Sequence, residues 1–565
     1  MGDIRSMLNR YLAGALLCCA VLAGCGFRGS RADVVLHNGL VLTLDDNATE
    51  AQAIAVSQGR VLEVGPERAI LNKYNADLEV DLMGAVVVPG LMDAHAHFTG
   101  FADALGAADL VGTVSQQEVL DRVQAHAALF EEGWVIGRGW DQNDWDSTAF
   151  PDRHEALDAL FPDRPVLLER VDGHAVWCNA VALERAGVGP DTQIEGGELL
   201  KNAEGQLTGV LVDRAADSLQ AWVPEPDSTL RAGYFKEAAR RLVAVGLTHI
   251  TDAGLDPEDV EAIAALQETG ELPLRFSVMV SDNPRALDHF LPGGPIVDTA
   301  GMLDVRAVKF YMDGSLGSRG AALLEPYADR PETQGLFLQD EAEYFEKVQR
   351  TQDAGFQVAT HCIGDAAVRR VLGIYGDLLG GVNDLRWRIE HAQVVHRDDA
   401  DAFQAYTVIP SVQPTHATSD MYWAGQRLGR NRVRRAYIYS TLQKQLGWLP
   451  LGTDFPVEGI APMRTFYAAV ERKDVEGYPD GGFQRDEALD RMSALKGMTG
   501  WAALACFREH DLGQIAPGYR ADFTVLDRNP LTCASEKLLD TRVLQTWISG
   551  ERVFERQPGS TVSIP

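Results

Sequence analysis

The chain has 565 residues, 46% of them hydrophobic, and its 81 acidic against 51 basic side chains give a formal charge of −30. That balance argues against nucleic-acid backbone binding, which needs clustered Lys and Arg, and reads instead as a solvated acidic surface. The length allows more than one folding unit.

Arg5 and Arg10 precede an uncharged apolar run at residues 12–23. The run is short for a bilayer span and has the length of a signal-peptide core. It ends Leu22-Ala23-Gly24-Cys25, which resembles the lipobox of bacterial lipoproteins. The resemblance implies removal of residues 1–24, lipid on Cys25, and attachment to the bacterial envelope through that lipid only. Gly26, in place of an Asp, resembles the outer-membrane sorting pattern. Cys18 and Cys19 leave with the signal. Cys178, Cys362, Cys506 and Cys533 remain, too few and too widely spaced for a disulfide framework, and no Cys-x-x-Cys pair suggests a structural zinc.

Residues 33–80 hold short alternating apolar segments separated by Asn38-Gly39, Asp45-Asp46-Asn47 and Gln58-Gly59, the pattern of a strand meander. Similar segments close the chain at 521–526, 543–548 and 552–554. Two strand blocks at opposite ends predict one small β-sandwich, assigned to residues 33–85 and 510–557. Between them, β-rich runs end at or contain His97, Gly254, Val280, Asp313, Cys362, His391, Gln413 and Asp454. Helical patterns at 340–354 and 366–379 lie among them. Eight such units predict an α/β fold, a (β/α)₈ TIM barrel over residues 86–100 and 236–509. A doubly wound open sheet is the alternative, and no glycine-rich dinucleotide turn supports it. The stretch at 101–235 is too long for a barrel connection and predicts an inserted subdomain after the first barrel strand. It must emerge on the face where barrel strands end.

Residues 86–97 read as a buried strand, Val-Val-Val-Pro-Gly-Leu-Met-Asp-Ala-His-Ala-His. Side chains at i and i+2 of an extended chain share a face, so His95 and His97 can aim at one ion. Lys309 lies in the fourth run, and His361, His391 and Asp454 end the fifth, sixth and eighth. Strand ends of a barrel converge on one cavity. Imidazole and carboxylate suit zinc and similar divalent ions. A lysine within an apolar strand is costly unless paired or neutralised, and its carbamate would be a bridging carboxylate.

The order Pro-Gly-Leu-Met-Asp-Ala-His-Ala-His, a lysine, two single histidines and Gly-Thr-Asp resembles the amidohydrolase superfamily. Gly137-Arg-Gly-Trp-Asp141, Asp172-Gly-His-Ala-Val-Trp-Cys-Asn179, Lys309-Phe-Tyr-Met-Asp-Gly-Ser315 and Thr360-His-Cys-Ile-Gly-Asp365 narrow the likeness. So do Ser411-Val-Gln-Pro-Thr-His-Ala-Thr-Ser-Asp420 and Gly452-Thr-Asp-Phe-Pro-Val457. They resemble the amidohydrolase-3 branch that includes N-substituted formamide deformylase-like enzymes. The resemblance implies one divalent metal on His95, His97 and Asp454, a second on His361 and His391, and a carboxylated Lys309 between them. It also implies hydrolysis of an amide-type carbon–nitrogen bond by activated water, with Asp454 taking and returning the proton.

A small-molecule substrate needs aromatic walls and a few placed polar groups. Trp140, Asp141 and Trp145, then Asp172 and His174, form candidate clusters in the insertion, and His416 and Asp420 are candidates for the rim. A mononuclear deaminase and an ester or lactone hydrolase are alternative enzymes for the same barrel, and a lipid-anchored binding protein is the non-enzymatic one. There is no sign of a nucleotide, flavin or pyridoxal site.

Overall fold

The computed structural model describes residues 29–557, apart from 131, 143–144, 146–149, 171–174, 195–196, 225 and 318. Cys25, Asp172 and His174 lie outside the described residues. Seven parallel strands pair in chain order: Leu91–Ala96, Leu247–Leu255, Arg275–Ser281, Leu303–Tyr311, Gln357–Cys362, Arg388–His391 and Ile409–Ser411. Their apolar side chains are almost wholly buried, as parallel strands covered on both faces require. The fold is an α/β, TIM-barrel-like one.

The eighth position is filled, but not by a regular strand. Residues 450–454 close the ring through Gly452 N to Val412 O (3.0 Å) on one side and Ala94 N to Leu451 O (3.2 Å) on the other. Pro450 has no N–H to donate, and Asp454 has a left-handed backbone at φ 64°, so the ladder cannot extend either way. Gly452 is required there: a Cβ would stand 2.6 Å from His95 N.

The expected single strand at 86–97 is two. Val86–Pro89 pairs with Leu40–Leu42 and Phe523–Leu526, and Leu91–Ala96 enters the barrel. The break falls at Gly90, where any Cβ would lie 2.3 Å from Thr248 Oγ1. His97 is outside the strand and precedes the helix Phe98–Ala104.

Val86–Pro89 thus belongs to a six-stranded sheet built from both ends of the chain. A four-stranded sheet of Ser30–His37, Ala53–Ser57, Arg60–Gly65 and Tyr74–Asp81 accompanies it. Leu36, Ile54, Val87, Phe523 and Trp547 pack in one core between them. Between the first and second barrel strands, a further six-stranded sheet spans Ala107–Asp109 to Leu207–Asp213 and carries its own apolar clusters.

The helices follow their end signals. Glu341–Asp353 starts where the Asp340 carboxylate accepts from Ala342 and Glu343 N, and it buries Tyr344, Val348 and Thr351 at helical spacing. Asp365–Leu379 stops at Gly380, left-handed at φ 67°.

Candidate metal centre

The sequence locks the first and last barrel positions together just below the site. Asp93 accepts from Thr453 N (3.0 Å) and Thr453 Oγ1 (2.7 Å), while Asp454 N donates to His95 O (2.8 Å). The aspartate of the first motif and the threonine of Gly-Thr-Asp therefore form one clamp, which sets His95 beside Asp454.

Three imidazoles are then oriented through Nδ1. His95 Nδ1 is 2.6 Å from Glu390 Oε2, His97 Nδ1 is 2.9 Å from Ala253 O, and His391 Nδ1 is 2.8 Å from Gln413 Oε1. All three partners are acceptors, which assigns the proton to Nδ1 and leaves a lone pair on each Nε2. Such outer partners are what hold metal-binding histidines in place. Burial alone would raise Glu390, but Arg388 and His95 hold it at about 2, so it accepts as a carboxylate. Burial lowers His95 to about 4, with the Lys309 charge adding to the effect.

Those lone pairs face a carboxylate. His97 Nε2 lies 3.1 Å and His95 Nε2 3.6 Å from Asp454 Oδ1, and His416 Nε2 lies 3.5 Å from Asp454 Oδ2. The Nε2 of His97 and an ionised carboxylate are both acceptors, so their approach calls for a cation between them. Buried Asp454 Oδ1, His361 Nε2 and His416 Nε2 have no hydrogen-bond partner. Metal bonds of about 2.0–2.2 Å put neighbouring ligand atoms of a tetrahedral site roughly 3.3–3.6 Å apart. The observed separations lie close to that edge, and the donor set fits a divalent ion. His391 and Asp454 also carry left-handed backbones, at φ 72° and 64°. Non-glycine residues keep that strain where the surroundings over-determine it, often at functional sites.

Lys309 is fully buried and its Nζ lies 3.2 Å from His95 Nε2. Burial pulls its pKa down to about 8, against the opposing charges of Glu390 and Asp454. His361 lies one residue before the end of its strand, its Nε2 3.8 Å from Asp313 Oδ1 and its ring 4.6 Å from that of His391. His97, Lys309, His361, His391 and Asp454 line one cavity of about 350 Å³, which His416, Asp420, Trp423 and Glu458 border. His416 and Asp420 are thus brought to the site. Trp140 and Trp145 are not among its lining residues: both are buried in the core of the insertion, and Trp140 Nε1 donates to Leu168 O (2.8 Å). Asp141 accepts from Arg170 Nη2 (2.6 Å).

Glu390, Gln413, Tyr311, Trp423 and Glu458 also build the centre and were not singled out from sequence. Glu390 had a signal. With Arg388 it puts two charges two residues apart in an apolar strand, where burial demands a partner.

A parallel barrel whose strand ends gather imidazoles and a carboxylate around a cavity is the architecture of a metal-dependent hydrolase. Residues 78–554 match the amidohydrolase family, and the chain belongs to it. Membership makes it a metal-dependent hydrolase of carbon–nitrogen bonds. Among its relatives is the putative amidohydrolase YtcJ of Bacillus subtilis, 30% identical over 92% of this chain and 99% of that one. The N-substituted formamide deformylase of Arthrobacter pascens is 28% identical over 93% of this chain and 98% of that one. The crystal structure of an uncharacterized metal-dependent hydrolase from Pyrococcus horikoshii aligns with a TM-score of 0.70 at 27% identity, covering 89% of this chain and 99% of that one.

Proposed function

We propose that the chain hydrolyses a non-peptide amide-type bond of a small molecule, with His95, His97 and Asp454 holding a divalent ion, for which zinc suits the donor set. The observation that carries this is the pair of acceptors, His97 Nε2 and Asp454 Oδ1, facing each other at 3.1 Å in the cavity wall. A divalent ion bound there supplies water activated near neutral pH and polarises a carbonyl. The chain's own residues do the rest. Asp454, ionised, accepts a proton from the attacking water and returns it to the leaving nitrogen. Glu390, Ala253 O and Gln413 keep the imidazoles aimed. Trp423 gives the cavity an apolar wall and Asp420 and Glu458 give it carboxylates, a lining that suits a small substrate. Lys309, an amine held neutral more readily than usual, is placed beside His95 for the carbamate that the family resemblance implies.

The test is hydrolysis of a panel of N-formyl and N-acyl amines by the purified chain, before and after chelation and after restoring zinc. Turnover that disappears with chelation and returns with zinc is expected. No turnover on amides with strong turnover on esters or lactones would move the reading to the alternative. We further propose that residues 1–24 are removed and Cys25 lipidated, which labelled-palmitate incorporation into wild type but not Cys25→Ala would test.

A further inference from the structure

We propose that the amide taken by this cavity carries a second, cationic nitrogen on its amine side, and that Asp420 and Glu458 select it beside the Trp423 wall. The inference rests on the amide-hydrolase reading above and deepens it from a reaction class to a substrate class, a monoacylated diamine.

The cavity has two ends of opposite character. At the deep end lies its lysine, the fully buried Lys309, 3.2 Å from His95 Nε2. At the outer end, beside the exposed Val457, stand Asp420, Glu458 and Trp423. Each carboxylate is anchored through one oxygen. Asp420 Oδ2 accepts from Tyr437 OH (2.7 Å) and Gln393 Nε2 (3.0 Å), and Glu458 Oε1 accepts from Ser419 Oγ (2.6 Å). Among the described residues, Asp420 Oδ1 and Glu458 Oε2 accept no hydrogen bond, neither side chain pairs with a lysine or arginine, and no arginine lines the cavity. Arg427 lies 5.6 Å from the Trp423 ring, but Asp329 matches its charge. Burial raises the Asp420 carboxyl against the pull of His416, and Glu458 adds to the rise. Two anchored carboxylates with free oxygens and an aromatic wall are what an ammonium group requires. The same cavity is lined by Asp454, its side chain 6% exposed and its Oδ1 buried without a hydrogen-bond partner, so a ligand held at the outer end reaches toward the reactive groups.

The order of the groups says which side of the amide carries the charge. Asp454 Oδ1 faces His97 and His95, at 3.1 and 3.6 Å, while Oδ2 faces His416 Nε2 at 3.5 Å. With Oδ1 turned to the ion, the proton that Asp454 takes and returns is carried on Oδ2. The leaving nitrogen therefore lies on the His416 side. Asp420 follows His416 by four residues in the helix Pro414–Asp420, on the same face and about one turn, ~5.4 Å, farther along. A short alkyl spacer on the leaving nitrogen spans that turn and brings an ammonium group to Asp420 and Glu458. A carboxylate at the same place, as in an N-acylated amino acid, would meet two anions and be rejected.

The experiment compares three formamides on the zinc-loaded full chain: N-formyldiaminobutane, its neutral isostere N-pentylformamide, and the anionic N-formylaminobutyrate. Wild type, Asp420→Asn, Glu458→Gln and the conservative Glu458→Asp are used, and circular dichroism reports whether each is folded. Wild type should favour the cationic amide over the neutral one by roughly tenfold to a hundredfold in kcat/KM, mainly through KM, with the anionic amide last. Asp420→Asn and Glu458→Gln should each cut that ratio by about tenfold, and Glu458→Asp should keep most of it. Raised salt should narrow it. Equal rates on the cationic and neutral amides, or a ratio unmoved in the folded variants, overturn the proposal and leave the hydrolase reading standing. Calorimetry of diaminobutane against pentylamine reads the same preference without turnover. If no amide is hydrolysed, the reaction reading falls by itself: tighter binding of the diamine, lost in Asp420→Asn, supports the cation site, and equal binding overturns it.

Discussion

The two ends of the barrel bury charge in opposite ways. At the floor, where the strands begin, the named charges are saturated. Arg275, fully buried, makes a two-pronged pair with Asp522 (2.6 and 2.9 Å) and also donates to Gly301 O and Ser549 Oγ. Arg508 pairs with Asp304 (3.0 Å) and with both oxygens of Asp511, which Arg520 also reaches. These pairs tie the third and fourth barrel strands to the C-terminal segment. At the mouth, where the strands end, Asp454 Oδ1, His361 Nε2 and His416 Nε2 are buried with no hydrogen-bond partner. The ion pairs of the floor close within the protein, with His249 Nδ1 and Arg306 Nε left as scattered unpartnered atoms, whereas at the mouth the unpartnered atoms converge on one cavity. Burying an unmatched charge costs several kcal/mol, and it is this convergence that marks function.

The comparison can be broken from either side. Asp454→Asn should lower kcat by about a thousandfold or more while thermal unfolding stays near wild type, because it removes a proton acceptor and a ligand from a group outside the stabilising network. Near-normal kcat would remove Asp454 from the chemistry. Asp522→Ala should act the other way. It strands the buried Arg275 charge and should cost about 3–5 kcal/mol by denaturant unfolding, with kcat per folded molecule unchanged.

Glu390→Gln should weaken metal affinity by about tenfold to a hundredfold, measured by chelator competition, since it alters the acceptor that aims His95. A smaller effect is expected from pH. Burial would raise Asp511, but Arg508 and Arg520 hold it lowered. A carboxyl whose folded pKa lies below its unfolded one contributes stability above about pH 4, and that stability is lost as pH falls through the folded value. The unfolding midpoint should therefore drop on acidification below about pH 4, and Asp511→Asn should flatten the drop. Smallest is Trp140→Phe, which removes one buried hydrogen bond worth about 1 kcal/mol and should leave KM unchanged; a raised KM would return Trp140 to the substrate site.

Much of this was legible in the chain. Parallel barrel strands are buried on both faces, so they announce themselves as apolar runs, and the polar residues at their ends stand out against that background. His95, His97, Lys309, His361, His391 and Asp454 were singled out in this way. The exceptions have local causes. Residues 86–97 read as one strand because Val86–Pro89 and Leu91–Ala96 adjoin in an apolar run, and the break at Gly90, where a Cβ would collide with Thr248, is not visible in that pattern. Trp140 read as a pocket wall because a buried tryptophan looks the same in sequence whether it faces a ligand or a core.

The sequence by itself determined the fold class, the strand ends from which chemistry is presented, and the residue types gathered there, because periodicity and composition are local properties of the chain. Only the tertiary structure decided which of those side chains meet. Glu390 reaches His95 across 295 residues of chain, and His416 reaches Asp454 from a helix after a different strand. Partnership of that kind is a distance in space, set by how the barrel closes, and it is not written in spacing along the chain.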